Sequence, residues 1–195
     1  MKEVTKVESS LGTNDGVMQL VATICDRAEN ELEVHGKVRH MFFVLATQGP
    51  DGVYDEPRLF LVTSDSFGGR AEKQAVSTLV KALAEASKAV GVGAVLETWM
   101  LDPEWMADPE HASEYMNWSA KNPDASLSEF GHVVEMIFVS FEHVTHGHTI
   151  RMGRIVRDAD GKPSVPSWES KEPLRLDGLF ANLLPTQAYG QVTEA

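Results

Sequence analysis

The chain has 195 residues, 43% of them hydrophobic and 24% charged, which is enough apolar sequence to bury one core and is ordinary for a single domain spanning 1–195. Its net charge of −12 comes with no basic stripe, which excludes a phosphate-collecting surface and makes nucleic acid and anionic membrane unexpected partners. A single cysteine, Cys25, excludes an internal disulfide and a multi-cysteine zinc site.

After a polar start, Val17, Leu20, Val21, Ile24, Ala28 and Leu32 recur at three- and four-residue spacing and predict an amphipathic helix, with Asn14 or Asp15 as its cap and Gly36 at its end. Cys25 lies on the apolar side of that helix and reads as an inert buried thiol. VRHMFFVLAT (38–47) is apolar on both faces and predicts a central strand, followed by turn chemistry and a second strand over Arg58 to Ser64. Val76, Leu79, Val80, Leu83 and Val90 predict a long helix over 71–90 that turns Leu83 to the sheet and is stopped by Gly91 to Gly93. Further strands are expected at Ala94 to Leu101, His132 to His143 and His148 to Asp158.

Between the third and fourth strands, Asp102 to Gly131 is far longer than the usual connection of a few residues. Asp108, Pro109 and Glu110 can cap, start and charge-complement a short helix there, with Ala112, Tyr115 and Met116 facing the sheet as an ordered flap. From about residue 162 the chain reads as proline-punctuated extended tail, with one helical turn near DGLFANLL (177–184). These elements make an α+β domain: a largely antiparallel five-stranded sheet, the long helix packed on one face and the N-terminal helix beside it.

Motifs with known mechanics are missing. GVGAVL (91–96) follows a helix, leads into a strand and lacks the third glycine of a dinucleotide fingerprint, and no GxxxxGK[ST], GxSxG or HExxH occurs. No cofactor is expected. HVVEM (132–136) has a His and a Glu of an inverted zinc motif but a methionine at its second histidine. HVT (143–145) fits the tripeptide of two-histidine phosphodiesterases but has no second strand-borne copy.

Three groupings are left as candidate sites. His143, His146 and His148 crowd one predicted hairpin turn in EHVTHGH (142–148), where three imidazoles could hold zinc or nickel, or could simply be polar turn residues. Glu97 and Glu135 each interrupt an apolar strand; on neighbouring strands two such carboxyls would have their pKa values driven apart, as acid–base catalysis requires, whereas on a partly open face they would meet only water or an arginine such as Arg151 or Arg154. Trp105, Tyr115 and Trp118 give the insertion the aromatic residues of binding hot spots, or else the anchors that pin it down.

The succession HMFFVLATQGPDG, helix, AVLETWML, HVVEMIFVSFEH and final strand resembles small α+β proteins of bacteria and their phages over about residues 40 to 158. That resemblance implies a fold and no activity. The function expected from the residues is that of a cytoplasmic accessory or protein-interaction protein without catalysis, its partner a protein, with a homo-oligomer also open. The alternative is a small hydrolase or metal-dependent enzyme using Glu97 and Glu135 or the histidine cluster, so enzymatic activity stays undecided.

Overall fold

A computed structural model describes residues 13–49, 52–64, 70–123, 125–171 and 183–184. The fold is α+β. Helix α1 (Asn14–His35) is capped by Thr13, one residue earlier than expected, whose hydroxyl accepts from the Gly16 amide at 3.1 Å. It ends where Gly36 takes a φ of 72° and donates to the Leu32 carbonyl at 2.8 Å, the left-handed cap for which glycine has no steric penalty.

Strands β1 (His40–Gly49), β2 (Gly52–Ser64), β3 (Ala89–Leu101), β4 (Val133–His143), β5 (Gly147–Arg154) and β8 (Trp168–Lys171) form a sheet in the order β2-β1-β3-β4-β5-β8. Every adjacent pair is antiparallel. The sheet therefore has six strands where five were expected. The sixth comes from the supposed extended tail, and its outer strand is tied to α1 by the Trp168 indole donating to the Glu29 carboxylate. The predicted fifth strand stops at Arg154, and β6 (Val156–Arg157) pairs instead with β7 (Pro163–Ser164) in a separate ribbon. Of the turn sought at 177–184, only Leu183 and Leu184 lie within the described residues.

Two corrections follow from helix α2 (Arg70–Ala86). First, it ends four residues before Val90, and Lys88, with a φ of 46°, makes the reversal that the glycines were expected to make. Gly91 and Gly93 lie inside β3, where the Phe141 ring of β4 rests across them. Second, α1 and α2 cover opposite faces of the sheet rather than lying side by side. Because side chains alternate along a strand, Met41, Phe43, Leu45 and Val95 meet Val17, Val21, Ile24 and Leu32 of α1, while Phe42, Val44, Val92 and Ala94 meet Val80 and Ala84 of α2. Strand β1 is apolar throughout because both helices sit on it. Leu83 is half-buried at the edge of the α2 contact and Leu79 is exposed; Val80 and Ala84 are the residues fully enclosed.

The insertion between β3 and β4 is ordered. It holds a 3₁₀ turn (Trp105–Ala107), helix α3 (Pro109–Lys121) capped by Asp108, and a second 3₁₀ turn (Leu127–Glu129) closed by a capping box between Ser126 and Glu129. Met116, expected to face the sheet, is 66% exposed, because the inward side of α3 runs instead through Tyr115 and Trp118 to Phe130.

Candidate functional site

Strands β3 and β4 pair over eleven positions, with Glu97 opposite Ile137 and Trp99 opposite Glu135. Glu97 and Glu135 are thus diagonal neighbours on the α1 face, close enough for the charge of one to act on the other. Burial pushes the Glu97 carboxyl above its ordinary pKa, and the charge of Glu135 pushes the same way, against the Val38 amide, which donates to Glu97 Oε2 at 2.7 Å. Arg157 forks onto Glu135 through Nε and Nη2 at 3.0 to 3.1 Å and reaches the Gly36 carbonyl at 3.5 Å. The arginine that meets this pair is therefore Arg157; Arg154 faces Asp102 at 3.5 Å instead.

These contacts do mechanical work on the segment between α1 and β1. Gly36 is held by Arg157, Val38 by Glu97, and Arg39 by the largely buried Glu31, whose carboxyl the Arg39 hydrogen bond keeps below the usual range. The chain is drawn toward the α1 face just before β1 begins, so β1 starts only at His40 while its neighbour β3 runs on to Leu101. Beside this overhang lies a pocket of ≈ 360 Å³ lined by His40, Lys73, Glu97, Thr98, Trp99, Ser126 and Leu127. Burial lowers the pKa of His40, against the pull of the nearby Glu97 backbone.

No known protein family, characterised protein or solved structure matches this chain. Its function has to be read from geometry.

The histidines of EHVTHGH do not converge. His143 is on the α1 face and 4% exposed; its Nδ1 accepts from the amides of Thr145 and His146 at 3.2 and 3.3 Å, so it pins the β4–β5 turn. His146 stacks on it at 4.8 Å between ring centroids, whereas His148 pairs across the strands with Glu142 on the opposite face. Among the described residues no three His, Cys, Asp or Glu side chains are placed to hold a metal ion. His143 is thus the answer to that stretch: a buried neutral imidazole used as a turn acceptor, its pKa lowered to about 4, chiefly by burial.

Trp105, Tyr115 and Trp118 surround the buried Phe130 at centroid distances of 5.0 to 5.4 Å, and Trp105 is sandwiched between His111 and His132 at 4.3 and 4.5 Å. They form a small core for the flap. Phe130 went unread in the sequence, and His132 entered it only as part of HVVEM, although an aromatic-rich insertion needs a centre of its own. Cys25 is buried, and burial pushes its thiol up to about 12.

One consequence concerns Glu97. Its folded pKa lies above the unfolded value, so the native state holds the proton more tightly and stability falls as pH rises from about 4.5 through the raised value. Glu97→Gln keeps a carbonyl for the Val38 amide but cannot ionise. It is expected to match the wild type at pH 4 and to exceed it at pH 7 in urea midpoint; a lower midpoint at pH 7 would show that the ionised carboxylate stabilises the fold.

Proposed function

We propose that this chain is a cytoplasmic protein-interaction module whose contact surface is the overhanging end of β3. The observation that carries the reading is Trp99. It is 43% exposed and lines the pocket, while the aromatics of the flap are turned onto Phe130. An exposed tryptophan beside charged and polar groups has the anatomy of an interface anchor. The buried, unpaired thiol of Cys25 suits a reducing compartment, and no described helix is long and apolar enough to cross a membrane. The test is recovery of bound proteins from the source lysate by the immobilised chain, by Trp99→Glu and by Met116→Glu, which alters a still more exposed apolar residue on the flap. Partners lost with the first variant and kept with the second support the surface; an unchanged set in both overturns it.

A second reading is favoured by the closeness of Glu97 to Glu135 and by the upward push of burial on the Glu97 pKa: an acid–base enzyme such as a small hydrolase, with Glu97 as the acid. It ranks lower because both carboxyls already have protein partners, Glu97 in the Val38 amide and Glu135 in the Arg157 guanidinium. The separated histidines add no metal-dependent version of it.

A further inference from the structure

The pairing of β1 with β3 stops at Met41 and Val95, yet the β3–β4 ladder continues to Leu101 and Val133. In an antiparallel strand alternate residues direct both their N–H and C=O to the same side. Val90 accepts from Val144 and Asp102 donates to His132, so the even-numbered residues of β3 are turned to β4. The odd-numbered ones are turned to β1. Trp99 and Leu101 therefore direct their backbone groups at the space β1 has vacated, and the pocket lies there. The one bond given to these groups by a described residue is the Thr98 hydroxyl to the Trp99 carbonyl, at a marginal 3.5 Å.

We infer that this vacancy takes a short extended segment of a partner protein, which continues the line of β1 and adds a strand beside Trp99 and Leu101. The inference rests on the interaction-module reading above and specifies how that surface binds. Backbone pairing supplies affinity and alternate side chains supply selectivity. On the α1 face the added strand meets the half-exposed Trp99 ring, over which a basic side chain fits by cation–π contact, in a chain of net charge −12. On the other face it meets the Lys73 ammonium and the His40 ring; the first disfavours a second basic group, and the pair suit a valine or threonine. The segment is thus basic and β-branched in alternation.

The test uses the isotope-labelled full chain and a blocked pentapeptide alternating valine and lysine, followed by amide NMR. Shifts at Trp99 and Leu101, with exchange of both amides slowed at least about tenfold on saturation, are expected. A peptide with glutamate for lysine, and one N-methylated on the backbone groups that face β3, should each bind at least about tenfold more weakly. Shifts of the Trp99 indole without slowed amides would overturn strand addition and leave the interaction surface standing. Equal binding of the N-methylated peptide would overturn it as well. No shift with any of the peptides would overturn the basic extended ligand, while the Trp99→Glu recovery experiment decides the surface independently.

Discussion

Gly93→Ala is expected to cost about 3 kcal/mol, at the top of the usual range for overpacking. A Cβ at this position would lie 2.6 Å from Phe141 Cδ2 and 2.8 Å from the Ser140 carbonyl oxygen. The ring is enclosed beneath α1, and the carbonyl belongs to the paired backbone of β4, so neither moves without disturbing a central ladder. The melting temperature should drop by roughly 6 to 12 °C for a chain of this size. Phe141→Leu in the same chain relieves the ring contact, so the two substitutions together should cost less than the sum of their separate effects. Thermal unfolding of the two single variants and the double variant checks this. A neutral Gly93→Ala, or strictly additive losses, would mean that Phe141 does not lie across β3.

The second large effect is sensitivity to acid. His143 has a folded pKa of about 4 against an ordinary 6.5, so the unfolded chain takes up its proton first as pH falls. Stability conferred by the neutral ring is complete above pH 6.5 and is lost on acidification toward pH 4, a loss of up to roughly 3 kcal/mol. Protonation also removes the Nδ1 acceptor from the amides of Thr145 and His146. His143→Asn places an oxygen where Nδ1 accepts and cannot titrate in this range. Chemical denaturation at pH 7, 5.5 and 4 should show the wild type losing stability relative to the variant at each step, although the lowered pKa values of His40 and His148 leave the variant some dependence of its own. Parallel curves for the two proteins would exclude His143 as the sensor.

What could be read from residues alone was whatever local periodicity determines. The amphipathic stripe of α1, the doubly apolar β1 and the cap at Asp108 each follow from a few adjacent residues, and each is present. The closeness of Glu97 and Glu135 was legible only as a condition, because parity assigns a face but not a neighbour; the β3–β4 register supplies the neighbour. Three features depended on contacts distant in sequence. Gly91 and Gly93 look like a helix stop until Phe141 is laid over them. Arg157 looks like a solvent-exposed residue near a turn until β5 ends at Arg154 and the Ile155 amide bonds back to Glu135. Periodicity in α1 and α2 shows that each has an apolar side, but only the alternation in β1, read with both helices in place, shows that those sides close on the sheet from opposite directions.

The flap has an evolutionary consequence. Its two ends are already joined across the sheet, with the Asp102 amide donating to the His132 carbonyl at 3.1 Å and Leu101 in register with Val133. A tight turn could close the same hairpin, and because loop-closure entropy grows only slowly with length, a segment of nearly any size can occupy the position at little cost to the rest. The flap also has its own centre in Phe130 and does not draw on the apolar layers beneath α1 or α2. Through Ser126 and Leu127, however, it forms one wall of the pocket beside Trp99. Replacement or drift in this one segment would therefore reshape the pocket while leaving the folding of the sheet intact, so related sheets could carry different flaps.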